Sequence, residues 1–188
     1  MNSKFEIKAT TLQDAVVIVP FSVDDNRGNF TKDFYRKFYF DNNLDCDLSE
    51  TFYAKNLKAN TIRGMHFSLD KPQSKIVKCI TGEIYDVIVD IRRNSPTYLK
   101  WEGFYLSENN NLSLYVPKGF AHGYLVIRPG IVSYKCSGEY DPSLDSGINY
   151  RDETFNIEWP YVETENVIIS DKDNRLLSYK EMKVKIKY

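Results

Sequence analysis

Apolar and polar residues alternate with a period of two over much of this chain, which is the pattern of β-strands and not of helices. Residues 83–92 show it best, because positions 85, 87, 89 and 91 are all apolar while Ile84, Asp86, Ile88 and Asp90 fill the opposite face. Similar runs predict further strands at residues 15–21, 75–80, 111–116, 123–127 and 131–137.

Turn-forming residues divide these strands. Thr81-Gly82 predicts a tight connection between strands 75–80 and 83–92, and Arg128-Pro129-Gly130 predicts a hairpin between strands 123–127 and 131–137. Many short strands with turn signals every 8 to 12 residues are typical of a β-sandwich or barrel. We therefore expect an all-β domain with a few short helices.

Helical spacing is scarce. Aromatic residues recur at helical intervals in FTKDFYRKFYF (30–40), which predicts one helix, and a weaker pattern around DKDNRLLSY (171–179) predicts another. The lysine-rich ending KEMKVKIKY (180–188) reads as either a late strand or a loose tail. We expect one domain over residues 1–188, with a core at about 15–175 and an extension at 176–188.

Composition narrows the function classes. Net charge is −1, so there is no basic excess to bind a nucleic acid backbone. The first residues lack the apolar core of a signal peptide, and no later run is long enough to span a membrane. Three cysteines, Cys46, Cys79 and Cys136, form no CxxC pair, which favours reduced thiols in a cytoplasmic protein.

The chain has only two histidines. His122 lies in PKGFAHGY, where the spacing Pro-x-Gly-x-x-His resembles the second motif of the cupin class of β-barrels, which would point this histidine into the barrel mouth. Cupins that bind a metal use two or three histidines and a glutamate, but this chain lacks the HxH pair of the first motif. We therefore expect a site without metal or cofactor, with a carboxylate-only metal site as the minor alternative.

A more specific resemblance rests on seven phrases in order. They are DNRGNF (25–30), IRGMHF (62–67), PQSKIVKCITGEIYDVIVDIRRNSPTYLKW (72–101), LSENN (106–110), VPKGFAHGY (116–124), SYKCSGEYDP (133–142) and FNIEWP (155–160). Together they resemble the dTDP-4-dehydrorhamnose 3,5-epimerase family. This resemblance implies a cupin-like jelly-roll sandwich, a homodimer, no cofactor, and a nucleotide-linked 4-keto sugar as substrate in surface-polysaccharide biosynthesis.

The chemistry of such an epimerase explains which residues are needed. A C–H bond beside a ketone needs a base on one face, an electrophile near the oxygen and an acid on the opposite face. The resemblance implies that His66 is the base, that Asp173 of the phrase Ser-Asp-Lys-Asp orients it, and that Tyr134 is the acid. Lys75 matches the lysine near the keto oxygen.

Other residues match substrate-binding positions of the family. They are Arg27, Asn56, Arg63, His122, Tyr140, Asp145 and Lys172. Arg63 suits the diphosphate, because guanidinium groups bind phosphate oxygens in a bidentate manner. Tyr140 matches an aromatic ring that stacks on the ligand, and Arg27 matches an arginine that reaches the nucleotide across the dimer. His122 either contacts the ligand or clamps the structure.

Two phrases depart from the family. DNRGNFTK places Lys32 where the family has a glutamate, and AKNLK (54–58) keeps only Asn56 of the family phrase QxNxS. An ammonium cannot accept the hydrogen bonds that a carboxylate accepts, so recognition of the base is expected to differ. This predicts a nucleotide other than thymidine, such as GDP or CDP, on a deoxyhexose or a heptose.

Other classes remain open at this point. A cupin-like 3,4-ketoisomerase also moves protons around a 4-keto sugar, although those enzymes carry paired histidines at the pocket. A non-catalytic sugar-binding cupin and a metal-dependent cupin enzyme are further alternatives. The sequence does not decide whether C3, C5 or both would be inverted.

Overall fold

The computed structural model describes residues 4–160 and 166–188. Within them the chain forms strands and short helices in the order β1 (Glu6–Ala9), β2 (Val16–Val19), β3 (Phe21–Asp25), β4 (Gly28–Lys32), α1 (Arg36–Asp41), β5 (Leu48–Asn56), β6 (Ile62–Ser68), β7 (Lys75–Asp90), β8 (Trp101–Ser107), β9 (Ser113–Val116), β10 (Phe120–Ser137), β11 (Asp145–Gly147), α2 (Asp171–Asn174) and α3 (Tyr179–Met182). Strand dominates, as the alternating pattern predicts.

The two longest strands, β7 and β10, form the centre and pair antiparallel along their length. Their outer neighbours change midway. In β7, residues 75–78 pair with β9 and residues 83–89 pair with β8. In β10, residues 122–125 pair with β6 and residues 130–137 pair with β5. Hydrogen bonds thus join these nine strands into one continuous sheet that folds over at the central pair. Its two halves are called here the first sheet, β1–β2–β9–β7–β10–β5, and the second sheet, β8–β7–β10–β6–β11.

The two sheets face each other because the central pair bends. The rings of His122 and Tyr134 lie on the same strand, yet their centroids are 6.0 Å apart. A straight strand would separate them by roughly 40 Å at about 3.3 Å per residue. Gly82 lies at the bend with a φ of +81°, and a methyl group there would be 2.6 Å from the carbonyl oxygen of Arg128. Only glycine fits this contact.

Two predicted chain reversals are therefore wrong. Thr81-Gly82 is not a connection and Arg128-Pro129-Gly130 is not a hairpin, because β7 and β10 run through them and stay paired, with register shifts between residues 126 and 132. Glycine and proline mark a departure from straight extended backbone. Here that departure is an irregular bend in a continuous strand.

The helix predicted at 30–40 is only partly correct. Residues 28–32 form β4, which pairs with β3 as a separate two-stranded sheet, and helix α1 covers only Arg36–Asp41. Tyr39 of α1 is fully buried and packs with Ile18 and Ile76 on the outer face of the first sheet. Phe30, which the helical pattern included, is exposed on β4.

The C-terminal residues are neither a strand nor a loose tail. The single helix predicted around 171–179 is two one-turn helices, α2 and α3, with residues 175–178 between them. Tyr179, Met182 and Ile186 are buried in an apolar cluster on the outer face of the second sheet. Residues 176–188 thus complete the packing of that sheet.

A second apolar cluster fills the space between the sheets. It joins Val77 and Cys79 from one half of β7 to Ile84 and Ile88 from the other half. Two antiparallel sheets that share bent strands around one core make a jelly-roll sandwich, which confirms the predicted fold class. Among the described residues, no helix is both long and apolar enough to cross a membrane.

Candidate active site

The two histidines are neighbours on the inner wall of the second sheet. His66 on β6 and His122 on β10 are cross-strand partners. Their strands approach closely at Gly64, which has a φ of +114° and where a methyl group would lie 2.7 Å from the Cα atom of Gly123. Glycine at both positions lets the two histidines stand side by side at this crossing.

The Asp173 carboxylate contacts the imidazole ring of His66. Its Oδ1 atom is 2.8 Å from His66 Nε2, and its Oδ2 atom accepts a hydrogen bond from the Gly64 backbone N–H at 3.0 Å. The Asp173 backbone N–H is in turn bonded to the side chain of Ser170, the N-cap residue of α2. Both carboxylate oxygens are therefore held, and the His66 atom left for a ligand is Nδ1.

Local hydrogen bonds keep Asp173 ionised. Burial raises the pKa of its carboxyl group, but the hydrogen bond and charge of His66, with the Gly64 N–H and the nearby Lys172 ammonium, outweigh burial and lower the pKa below its ordinary value. An ionised carboxylate at this place can stabilise a protonated imidazole. His66 itself is one-third exposed and open to a ligand.

His122 has its own carboxylate partner. Its Nε2 atom is 2.7 Å from Oδ1 of Asp86, and both residues are buried. Within the described part of the chain, nothing bonds the other Asp86 oxygen. Asp86 was not among the predicted site residues, although an acidic side chain between Ile84 and Ile88 on one face of the strand was a signal that could have found it.

Tyr134 and Lys75 lie on the facing wall, which belongs to the first sheet. Tyr134 pairs with Val77 of β7, and Lys75 pairs with Cys136 two positions further along the same two strands. The ring of Tyr134 stacks on its cross-strand partner Phe52, with centroids 4.9 Å apart. Burial raises the pKa of Tyr134 well above its ordinary value, so its hydroxyl stays protonated at neutral pH.

The Lys75 ammonium is also perturbed by burial. Burial lowers its pKa, and the nearby acidic groups of Cys136, Asp145 and Asp86 offset only part of that effect. A partly desolvated ammonium interacts strongly with negative charge that develops beside it. Lys75 is thus suited to a ligand oxygen that becomes anionic.

One cavity joins the two walls. It has a volume of about 190 Å³ and is lined by Phe52, Ala54, Arg63, His66, Lys75, His122, Gly123, Tyr124 and Tyr134. A larger cleft of about 530 Å³ shares Phe52, His66 and Lys75 with this cavity. The cavity and the cleft together have the size of a small-molecule site. His66 reaches it from one sheet, and Tyr134 and Lys75 reach it from the other.

Three predicted binding residues cluster at the outer cleft. Tyr140 and Asp145 line it, and the Tyr140 hydroxyl donates to Asp145 Oδ2 at 3.1 Å. The Lys172 ammonium binds the same Asp145 oxygen, which raises the pKa of Lys172. Tyr140 is 53% exposed, so its ring is free to lie against a ligand.

Two other predicted binding residues lie elsewhere. Arg27, at the turn between β3 and β4, has an 85% exposed side chain paired with Asp25 and lines neither the cavity nor the cleft. Asn56 is buried behind the cavity wall, where its Oδ1 atom accepts hydrogen bonds from Arg63 Nε at 2.9 Å and from the Tyr124 hydroxyl at 3.2 Å.

Sequence reasoning also missed Tyr188. Its side chain lines the cleft, and its hydroxyl donates to the backbone oxygen of Ser68 at 2.8 Å. The neighbouring Lys187 binds the same loop through Leu69 O and Asp70. This loop leads from His66 to Lys75. No sequence pattern marked these contacts, because residues 180–188 read as a polar ending.

In residues 4–160 and 166–188, no group of three or more histidine, cysteine, aspartate or glutamate side chains is placed to hold a metal ion. The cysteines Cys46, Cys79 and Cys136 are free thiols.

The jelly roll and the two-walled cavity in its mouth define a cupin-like protein with a small-molecule site. Comparison with known proteins gives the family. The sequence profile of the dTDP-4-dehydrorhamnose 3,5-epimerase family matches residues 9–181. The dTDP-4-dehydrorhamnose 3,5-epimerase of Methanothermobacter thermautotrophicus is 39% identical over 91% of this chain and 92% of its own length. The chain belongs to this family, whose named members are epimerases and hence isomerases.

Two solved epimerase structures are similar to this chain over most of its length. A dTDP-6-deoxy-D-glucose-3,5-epimerase from Legionella pneumophila, in complex with dTDP-4-keto-L-rhamnose, has a TM-score of 0.89 and 32% identity, over 94% of this chain and 93% of that one. The dTDP-4-dehydrorhamnose 3,5-epimerase from Bacillus anthracis, with TDP and PPi bound, has a TM-score of 0.87 and 37% identity, over 93% of this chain and 99% of that one.

Proposed function

We propose that this chain inverts C3, C5 or both in a nucleoside-diphosphate-linked 4-keto sugar, without a cofactor. The observation that supports this most directly is the placement of the His66–Asp173 pair and of Tyr134 on opposite walls of one cavity. Inversion of a carbon requires proton removal and return on opposite faces. A cavity with an imidazole on one wall and a phenol on the other can remove a proton from one face and return a proton to the other.

The proposed steps use three groups. Nδ1 of His66 takes the proton from the carbon beside the ketone, and the ionised Asp173 stabilises the imidazolium. The Lys75 ammonium stabilises the enolate oxygen, an interaction worth about 3 to 4 kcal/mol for a well-placed donor. Tyr134 then donates its hydroxyl proton to the carbon from the opposite face.

Two variants test these roles. His66→Ala should abolish exchange of deuterium from heavy water into a 4-keto substrate. Tyr134→Phe should keep exchange but block inversion at the centre it serves. Counting deuterated carbons in the wild-type product by NMR gives the number of epimerised centres. Exchange at near wild-type rate in His66→Ala would show that another residue is the base.

Substrate binding is proposed for the predicted residues Arg27, Asn56, Arg63, His122, Tyr140, Asp145 and Lys172. Arg27 lies outside the cavities of its own chain, which supports a homodimer in which it reaches the partner's site. Mixing His66→Ala and Arg27→Ala proteins tests this, because a mixed dimer would contain one intact site. Part of the lost activity should return on mixing. No recovery after subunit exchange would contradict the shared site.

The nucleotide is the part of the substrate in which this chain is expected to differ from its relatives. The relatives are named for thymidine-linked sugars, whereas Lys32 and Ala54 replace residues that the family uses near the base. Lys32 lies over the ring of Tyr35, with its Nζ atom 5.3 Å from the centroid. We propose that base recognition has changed toward GDP or CDP. Clearly tightest binding of dTDP among the three nucleotides would refute this.

A cytoplasmic location and a role in surface-polysaccharide synthesis complete the proposal. The three free thiols are consistent with a reducing compartment. Cell fractionation tests the location, and loss of the deoxyhexose or heptose from surface polysaccharide after gene deletion tests the pathway. An unchanged sugar composition would contradict the assignment to that pathway.

A further inference from the structure

We propose that Asn56 is a positioning residue for Arg63, and that it holds the Arg63 guanidinium group in place to bind the diphosphate of the nucleotide-sugar substrate. The inference rests on the proposed function, which gives Arg63 a part in substrate binding. It deepens that function, because the contribution of Asn56 to binding then passes through Arg63 and needs no contact between Asn56 and the ligand.

Asn56 and Arg63 lie on either side of the connection that takes the chain from the first sheet to the second. Asn56 is the last residue of β5 and pairs with Gly130, at the bend of β10. Arg63 is the second residue of β6 and pairs with Tyr124, in the other half of β10. Only residues 57–61 separate the two, and the Arg63 Nε–H group donates to Asn56 Oδ1 at 2.9 Å.

The side-chain amide of Asn56 is held at both of its ends. Its Oδ1 atom also accepts from the Tyr124 hydroxyl at 3.2 Å, and its Nδ2 atom donates to the Ala54 backbone oxygen at 3.3 Å. The two lone pairs of the amide oxygen are therefore both used. Asn56 is also only 4% exposed. A ligand in the cavity thus finds no free acceptor on Asn56, whereas Arg63 lines that cavity.

The bond to Asn56 occupies Nε and leaves the outer end of the Arg63 guanidinium group free. No residue in the described part of the chain accepts a hydrogen bond from Nη1 or Nη2 of Arg63. Because the guanidinium group is planar, fixing its Nε–H group also fixes the plane in which the terminal N–H groups lie. Parallel N–H groups at that end match two oxygens of a phosphate group.

The acceptor that holds Arg63 is neutral, so the positive charge of the guanidinium group stays available. Arg92 differs, because the carboxylates of Asp14 and Asp90 hold it and offset its charge. An amide orients Arg63 without this loss. A long side chain that is already ordered also loses less entropy when its ligand binds. Asn56 therefore prepares Arg63 for an anion in both orientation and charge.

A double-mutant cycle separates action through Arg63 from direct contact with the ligand. Its members are the wild type, Asn56→Ala, Arg63→Ala and the double variant, each made as the whole chain. Calorimetry gives the Kd for dTDP, GDP and CDP, and assays with a 4-keto sugar nucleotide give KM and kcat. The matched control is Asn149→Ala, because Asn149 also bonds backbone atoms through both ends of its amide but lines neither the cavity nor the cleft.

We expect Asn56→Ala to raise Kd and KM by about tenfold while kcat stays within about twofold of wild type. Arg63→Ala should raise Kd and KM by about 10², and the double variant should match Arg63→Ala within about twofold. Asn149→Ala should bind like the wild type. Effects that multiply in the double variant, to about 10³, would overturn the inference, since Asn56 would then act independently of Arg63. A fall in kcat as large as the rise in KM would also overturn it.

A measurement on the wild type covers the case in which Asn56→Ala does not fold. The Nε–H signal of Arg63 in NMR spectra is assigned by its absence from Arg63→Lys. It should be protected from exchange with water before any nucleotide is added. Protection that arises only after nucleotide binding would contradict the inference, because the ligand and not Asn56 would then order Arg63.

Failure of the proposed function gives a different result. If the wild type binds none of the three nucleotides, or if Arg63→Ala binds them like the wild type, the proposed role of Arg63 is wrong. If Arg63→Ala weakens binding and Asn56→Ala does not, only the inference about Asn56 fails.

Discussion

Replacing Asp173 by asparagine tests the histidine–aspartate pair with almost no change in side-chain volume. The amide oxygen of asparagine can still accept the hydrogen bond from the Gly64 backbone N–H, which the carboxylate accepts at 3.0 Å. The amide nitrogen would then face His66 Nε2, which is 2.8 Å from the carboxylate in the native protein. A donor at that place requires an unprotonated Nε2, so the proton moves to Nδ1 and blocks the proposed base.

The expected loss of rate in Asp173→Asn follows from the distance between His66 Nε2 and Asp173 Oδ1. Two unit charges 2.8 Å apart attract with about 6 kcal/mol at an effective dielectric constant near 20. His66 is one-third exposed, and solvent screening reduces this to roughly 3 kcal/mol. That value alone corresponds to a loss of about 10² in rate, and the wrong tautomer extends the expected loss of kcat to about 10⁴. KM should change little.

Deuterium exchange into the substrate measures this step directly. The matched control is Asp171→Asn, since Asp171 lies in the same helical turn but is exposed. Melting temperatures of both variants should stay near that of wild type. An Asp173→Asn enzyme that is folded and exchanges within about tenfold of the wild-type rate would refute the proposed stabilisation of an imidazolium by Asp173.

Three further results are expected. Lys75→Met should lower kcat by about 10² to 10³ while the melting temperature holds or rises, because the variant loses a donor to the enolate oxygen and also a partly buried charge; a lower melting temperature would contradict this. Tyr188→Ala should raise KM by about tenfold and Val184→Ala should not, since only Tyr188 lines the cleft and binds Ser68 O; equal KM values would remove Tyr188 from the site. Stability should fall as pH rises above 10, because burial raises the pKa of Tyr39 and Tyr134 above the ordinary value of 10.0 and the unfolded chain loses those protons first. Thermal melts with tyrosinate absorbance check this, and ionisation well before unfolding would contradict it.

The strands and the histidine–aspartate pair could be predicted from the sequence, but for different reasons. Alternation of apolar residues reports directly on strands, because side chains of a strand point to opposite faces. The pairing of His66 with Asp173 came from resemblance alone, since 107 positions separate the two residues. Local pattern carries no information about such a contact.

The bends and the residues behind the cavity could not be predicted. A turn signal reports only that the backbone leaves straight extended geometry, so it fits a hairpin and a bend equally well. Gly82 and Pro129 meet across paired strands, which a reading of either segment alone does not reveal. The contact of Asn56 with Tyr124 depends on which strands pair around the cavity, and the local sequence pattern does not show which strands pair.

The bend also explains how residues of one continuous sheet can contact a ligand on both of its faces. Side chains on the inner face of a flat sheet all point the same way, so a flat sheet offers a base and an acid only from one side. Bending β7 and β10 at Gly82 turns the second half of each strand to face the first half. His122 and Tyr134 then face each other although they lie on the same strand. His66 likewise lies on the cavity wall opposite Lys75. The separation of the two walls is therefore set at glycine and proline residues that do not line the cavity.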